Sequence, residues 1–454
     1  VAERLVIGHW TLLVGYAALP WLVRAALDLR RGVPGAQLRV LALLVPAALA
    51  AGPAAVALLT VVPVLAYRAD RRQLTRLAVT VVGWAVLNAP WWLPGLLHPT
   101  RGRSAEVGVA VFAARAEGPL GALGALLGLG GVWNADVVPD SRALVTGSVW
   151  LVVLLTVCAV GVRPLVQRLG PGGAGLLVAA GLGLGLAALA SVPPLTDTVG
   201  WMVRTLPGAG LIRDGQKFVA PLALAESAAF GLGCAVVARR LAGGAGRALA
   251  VALVVSPLVV LPDLAWGVAG RLQPVAYPSD WAAVRAVLLE EPDTGDVVSL
   301  PWQPFRRFAW NDERVMLDPA PRWLPTSVVV DDSLTVAGRT VSGEDPRAAE
   351  VATVLRSGRP LAEALPVLGV GWALIEQGTP GSVDERGLVG ATTVFSGEDL
   401  VLLRLGDSRS PDPPPWAMAV IVADGLAVVT AAGAVVAAGW VSLPGRPRRA
   451  RRRW

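Results

Sequence analysis

The amino-acid sequence predicts an α-helical polytopic membrane protein, with a small α/β domain outside the bilayer and a final transmembrane helix. Three observations predict it. Of 454 residues, 54% are hydrophobic and only 16% charged, with mean hydropathy +0.59, more apolar than a soluble surface tolerates. The apolar residues gather in runs of about 20, the length that crosses a hydrocarbon core. One stretch, residues 270 to 414, breaks that pattern and carries more Asp and Glu than Arg, in blocks such as Glu290-Glu291, Asp331-Asp332 and Glu344-Asp345.

The first span runs from about Trp10 to Ala26 and is followed by Arg30, Arg31 and Arg39. Residues 40 to 67 are long enough for one tilted helix, but Ala51-Gly52-Pro53 interrupts them and arginines flank both ends, which predicts a short helical hairpin. Further spans are expected at about Leu77 to Leu97, Ala143 to Val162, Gly173 to Val192, Phe218 to Val237, Ala248 to Ala269 and Trp416 to Trp440. The domains are then 1 to 269, membrane-embedded with about six spans and the hairpin; 270 to 414, polar; 415 to 441, the last span; and 442 to 454, a basic tail.

Arginine placement orients the spans. Six arginines between Arg446 and Arg453 directly follow the last span, where the positive-inside bias is strongest, so the C-terminus is expected in the cytoplasm of a plasma-membrane protein. Counting back puts Arg239, Arg240 and Arg247 inside, with Arg163, Arg168 and the Arg68 to Arg76 cluster. Residues 1 to 9, 98 to 142, 193 to 217 and 270 to 414 then lie outside.

Within the polar domain, Ser279 or Asp280 is placed to cap a helix through Glu291, and Asp345-Pro346 to start another that Gly358 ends. Apolar runs at 296 to 300, 371 to 375 and 400 to 405 read as strands, and Pro411 to Pro415 as a stiff linker. Trp416 and Trp440 stand about 36 Å apart along a helix, as two interfacial anchors do.

Lys217 is the only lysine among 40 basic residues, in the run Arg213-Asp214-Gly215-Gln216-Lys217 that enters a span from outside. A cation at a helix N-terminus costs about 0.3 to 1 kcal/mol. A bound phosphate would remove that cost, with Arg213 and Lys217 supplying charge and Gly215 close approach. Asp214 capping the helix and pairing with one cation, while the other reaches lipid headgroups, is the alternative. Glu226, deep in the same span, carries an ionised-state cost of at least about 2.5 kcal/mol, so it reads as a cavity or sugar contact or as a hydrogen-bonded helix contact. It stands roughly 13 Å along the helix from Lys217, too far for a direct pair. His9, just outside the first span, is suited to acid-base work or sugar contact. Trp133, Asn134 and Asp136 follow a glycine-rich stretch, about Leu120 to Gly131, expected to lie along the interface, and are candidate acceptor contacts. Trp91 and Trp92 read as belt residues.

No phosphate-binding glycine loop or zinc pattern is present, so no cofactor is required by the sequence, and a divalent metal has only Asp136 to suggest it. Cys158 and Cys234 fall in apolar stretches and read as buried thiols. The pI of about 10.5 reflects arginine-rich coding, not nucleic-acid binding. The partners expected are membrane lipid and a phosphate-bearing lipid.

Four segments carry a family likeness: Ala2-Glu-Arg-Leu-Val-Ile-Gly-His-Trp10, Asn88-Ala-Pro-Trp-Trp-Leu-Pro94, Gly130-Gly-Val-Trp-Asn134 and Arg213-Asp-Gly-Gln-Lys-Phe218. They resemble actinobacterial membrane glycosyltransferases of the GT-C type, and the last is similar to the Lys-Phe segment before a late span of the arabinofuranosyltransferases. The likeness covers most of residues 1 to 270. It implies a sugar donor on polyprenyl phosphate, an envelope polysaccharide or glycolipid acceptor, and an acidic base in a first outer loop. That loop would precede Val1, so the chain reads as an N-terminally truncated piece whose catalytic residue lies upstream. A noncatalytic envelope protein, either a lipid-linked sugar transporter or an assembly scaffold, is the competing class.

Overall fold

The computed structural model describes residues 1–98, 103–241, 244–336 and 338–442. They form two compact units, Val1–Leu272 with the chain from Trp416 onward, and Gln273–Pro415.

In the first unit, α1 (Ala2–Val6) turns through Gly8 and His9 into α2 (Trp10–Arg30). The stretch expected as a hairpin is two short helices, α3 (Ala36–Leu44) and α4 (Ala51–Ala66), broken at the extended Ala50 and both packed on α2. Their shared core includes Leu22, Ala26, Val40, Ala57 and Val61. The span expected at 77 to 97 is instead α5 (Arg71–Leu87) and α6 (Ala89–Leu97), bent by 66° at Asn88. Pro90 has no N–H to give the Val86 carbonyl, so α5 cannot run on, and Pro90 stands instead in the first turn of α6, where no such donor is needed. A side-chain box holds the other end of α5: Gln73 N–H donates to Asp70 at 2.8 Å and Asp70 N–H to Gln73 at 3.1 Å.

Three short helices follow, α7 (Val107–Val111), α8 (Gly121–Leu127) and α9 (Asp140–Ala143). The long helices α10 (Val145–Leu169) and α11 (Pro171–Leu189), the amphipathic α12 (Pro193–Thr205), and α13 (Ala220–Arg240) with α14 (Gly244–Val260) complete the bundle before a left-handed turn, α15 (Ala265–Ala269). The glycine-rich stretch expected along the interface is α8, which packs on α11 and buries Ala125 and Leu126. Helices α10 and α13 approach backbone to backbone: a Cβ on Gly161 would strike the Ala229 carbonyl, and one on Gly233 the Val157 carbonyl. Small residues at such crossings are how helices associate in lipid.

Among the described residues, six helices are long and apolar enough to cross a membrane, and the bent pair makes a seventh if taken as one span. The chain is an integral membrane protein. Two of its arginines close helix ends. Arg30 donates to the carbonyls of Val64 (3.0 Å), Leu65 (2.6 Å) and Tyr67 (3.0 Å) at the end of α4, and Arg76 to Leu29 at 2.7 Å at the end of α2. The arginine-rich tail that orients the sequence reading lies outside the described residues.

The second unit is a five-stranded sheet with helices on both faces. Strand β1 (Asp296–Leu300) is fully buried between β4 (Val328–Val329) and β7 (Val370–Glu376), both parallel to it, and β9 (Leu400–Arg404) and β8 (Thr392–Ser396) are added antiparallel beyond β7. The two-stranded pairs β2 (Phe305–Arg306) with β3 (Met316–Leu317), and β5 (Leu334–Val336) with β6 (Arg339–Val341), stand apart from the sheet. One face packs Val297, Trp372 and Leu374 against α16 (Ser279–Glu290) and α17 (Ala320–Trp323). The other packs Val298 and Ala373 against α18 (Pro346–Arg356) and α19 (Leu361–Ala364). Asp345 caps α18 as expected, accepting from Arg347 N–H at 2.9 Å. Neither Ser279 nor Asp280 caps α16; Asp280 instead accepts N–H bonds from Asp399 (2.9 Å) and Leu400 (3.3 Å), tying the helix to β9.

Candidate functional site

The Arg213–Lys217 run does not fray at a helix mouth. Gly215–Val219 is a tight 3-10 turn ahead of α13, with Lys217 inside it. Gly215 faces the end of α11, where a Cβ would lie 2.8 Å from the Leu186 carbonyl oxygen, so its lack of a side chain serves packing. The Tyr16 hydroxyl of α2 donates to the Lys217 carbonyl. Asp214 makes no cap bond to the turn and is bound elsewhere.

Its partner is Arg4, which is 2% exposed and gathers the local polar groups. Two parallel bonds run to Asp214, from Nη1 to Oδ2 at 2.7 Å and from Nη2 to Oδ1 at 2.9 Å. Nε and Nη2 donate to Gln216 Oε1 at 2.9 and 2.6 Å, and Gln216 Nε2 donates to the Gly130 carbonyl at 3.1 Å. Nη1 also meets His9 Nδ1 at 3.0 Å. A guanidinium only donates, so Nδ1 accepts and His9 is neutral with its proton on Nε2. Burial, then the Arg4 charge, hold His9 below its ordinary value. Burial alone would raise Asp214, but the charge and hydrogen bonds of Arg4 outweigh it and keep the carboxyl below its usual range.

The charges of Asp214, Arg4 and Arg213 all act on Lys217, and Arg4 and Asp214 are paired with each other. The Lys217 ammonium sits 5.6 Å from its neighbour Phe218's ring centroid and makes no hydrogen bond or ion pair among the described residues. The Arg213 guanidinium lies 4.8 Å from the Phe112 ring, which also meets Trp133 edge-on at 5.0 Å.

A second network adjoins the first. Arg142 Nε donates to Glu117 at 2.6 Å and stands 3.6 Å from Glu3, while Glu117 also takes the Gly131 N–H. Burial, reinforced by the Glu117 charge and opposed by Arg142, pushes Glu3 up to about 7.

Two cavities lie beside these groups. One, of about 240 Å³, is bounded by Arg4 and Gln216 and otherwise mostly by apolar groups such as Leu19, Pro20, Leu129 and Leu224. The other, of about 300 Å³, holds Glu226. His9, Arg213, Asp214, Lys217 and Trp133 thus converge, whereas Glu226 belongs to the second cavity. Asn134 and Asp136 serve a local turn: Asn134 Oδ1 accepts from Asp136 N–H at 3.0 Å, and the Asp136 carbonyl accepts from Arg271. Among the described residues no three His, Cys, Asp or Glu side chains converge as metal ligands. The roles of Gln216, Glu117 and Arg142 escape sequence reading. Their one local signal is the opposite charge of Glu117 and Arg142 on either side of the glycine-rich stretch.

The fold is that of a polytopic α-helical membrane protein with a small α/β unit. The cryo-electron microscopy structure of the arabinofuranosyltransferase AftD from mycobacteria has a similar fold: TM-score 0.50, 17% identity, 90% of this chain and 31% of that chain covered. A mutant of that protein matches with TM-score 0.49, 17% identity, and 90% and 32% coverage. The chain thus spans about a third of the length of the structures it matches. No family model matches the sequence, and neither does any curated protein.

Proposed function

We propose that the chain is part of a membrane glycosyltransferase that moves a sugar from a polyprenyl-phosphate donor to an envelope polysaccharide or glycolipid at the outer membrane face. The observation that carries this reading is Lys217, a half-buried cation with no hydrogen bond or ion pair among the described residues, beside the closed Arg4–Asp214 pair, with Arg4 bordering an apolar space of about 240 Å³ lined by Leu19, Pro20 and Leu129. A phosphate there takes hydrogen bonds from Lys217 and Arg213 while the first isoprenoid units occupy the cavity. As the glycosidic bond breaks, negative charge builds on the leaving phosphate, and fixed cations in a water-poor site stabilise it more than water would. His9, neutral, keeps an N–H to donate to the sugar or phosphate, and Trp133 offers a face to the sugar ring. In this reading residues 270–414 are extracytoplasmic and hold acceptor, and the C-terminus is cytoplasmic. Its support is that Arg30 and Arg76 sit at the C-terminal ends of α4 and α2, opposite the end of α2 that holds His9.

The name of the similar structure makes an arabinofuranosyl donor the first to test. In the full-length protein, Lys217→Ala is expected to reduce transfer from a polyprenyl-phosphate donor by about 10- to 100-fold. Unchanged transfer overturns the role given to Lys217. Donor binding by the native protein with no transfer to any envelope glycan favours a lipid-linked sugar carrier.

A further inference from the structure

The second cavity is bounded by α8, α10, α13 and the end of α14, with Leu151, Leu154, Pro257 and Leu261 among its apolar walls. Glu226 is 6% exposed and lines it, and neither carboxyl oxygen has a hydrogen-bond partner. That is an expensive arrangement in a membrane interior, where no bulk water satisfies the polar group. Two hydroxyls share the cavity. Ser227 donates to the Ala223 carbonyl at 2.7 Å, which leaves its lone pairs open, and Ser148 makes no hydrogen bond among the described residues. Trp150, edge-on to Phe230 at 5.8 Å, adds an aromatic wall.

The chemistry of these groups restricts the ligand. An ionised Glu226 needs donors, and a neutral one needs a donor and an acceptor; a hydroxyl satisfies either state, whereas an ammonium satisfies only the first. A phosphate does not fit. The cavity's ionisable groups are Glu117, Glu226 and Arg142, and Arg142 is already held by Glu117 at 2.6 Å, so no cation is left for an anion.

We propose that this cavity binds an uncharged, hydroxyl-bearing lipid. Its hydroxyls meet Glu226, Ser148 and Ser227, a sugar or polyol face lies on Trp150, and its chain runs along Leu151, Leu154 and Leu261. The cavity shares Leu129 and Ser227 with the one beneath Arg4, so this ligand sits beside the anion site without needing its cations. The inference rests on the cavity alone and requires no transfer reaction.

The test is photolabelling of the whole chain in phosphatidylcholine nanodiscs with diazirine-tagged decyl β-glucoside, mapped by mass spectrometry. Saturable labelling of the cavity-lining residues is expected, reduced about tenfold or more by Glu226→Leu and less than about threefold by Glu226→Gln, which keeps a donor and an acceptor. Lys217→Ala is expected to leave it unchanged, and excess decyl phosphate not to compete. Labelling of Glu226→Leu at the native level overturns the proposal. So does equal, saturable labelling by diazirine-tagged decane, which shows an apolar void only, or competition by decyl phosphate, which shows an anion site. Should Glu226→Leu fail to fold, Leu151→Trp fills the cavity from α10, and undiminished labelling of that variant also overturns it.

Discussion

Among the described residues the chain buries two arginines, Arg4 in the membrane unit and Arg306 in the α/β unit, and they are solvated differently. Around Arg306 every nitrogen is used: Nε donates to Glu376, Nη1 to the Gln303 carbonyl, and Nη2 to Ser299 at 3.0 Å and Asp318 at 2.8 Å. Burial and the neighbouring Asp318 raise Glu376 to about 8 against the pull of Arg306, so at neutral pH it keeps its proton and one cation faces one anion. Arg4 is equally saturated, yet Lys217 stands near it with no hydrogen bond or ion pair among the described residues, and Arg4 borders a cavity. A buried arginine is therefore no sign of a site by itself. The sign is a second cation, Lys217, with no ion pair among the described residues, close to an arginine that borders empty space.

The comparison breaks first at Arg306. Arg306→Leu strands Asp318 in the sheet core and is expected to cost about 3–5 kcal/mol. Urea unfolding of the full chain followed by tryptophan fluorescence checks it, since Trp281, Trp323 and Trp372 line the core of that unit. A loss under about 1 kcal/mol would mean that the cluster is not the closed structural element described.

Glu3 gives the next effect. Its carboxyl is raised from 4.5 to about 7, so between those values the folded state binds more protons than the unfolded one and stability falls as pH rises. The contribution of its neutral form is complete below about pH 4.5 and gone above about pH 7. Glu3→Gln is expected to remove this slope and to gain up to about 3 kcal/mol at pH 8, read from thermal unfolding across pH. A smaller change is expected from Asp345→Ala, which removes the cap of α18 and costs about 1 kcal/mol by denaturant unfolding. Lys217→Ala should cost least, under about 1 kcal/mol, because its ammonium gives up no ion pair.

Much of the fold was legible because apolar run length and arginine placement are local signals. Strands β1, β7 and β9 stand where the apolar runs predict them, and α18 starts at its Asp345 cap. The bend at Asn88 was missed although Pro90 marks it, because the apolar run continues through it to Leu97. The Asp280 error has the opposite cause: its partners, Asp399 and Leu400, are distant in sequence, and a local capping rule cannot see them. The site divides the same way. Lys217 stood out as a lone lysine and Glu226 as an acid inside a span. The bidentate bond from Arg4 to Asp214 joins residues 210 positions apart, so no local pattern announces it. Gly215, expected to make room for a ligand, makes room for the backbone of α11 at Leu186 and Ala187.

Titration of farnesyl phosphate into the whole chain in nanodiscs tests the central claim most directly. The expected result is binding that Lys217→Ala weakens about tenfold, about 1.4 kcal/mol, with the unfolding transition unmoved and Arg306→Lys without effect on affinity. Equal affinity for the native chain and Lys217→Ala would contradict it.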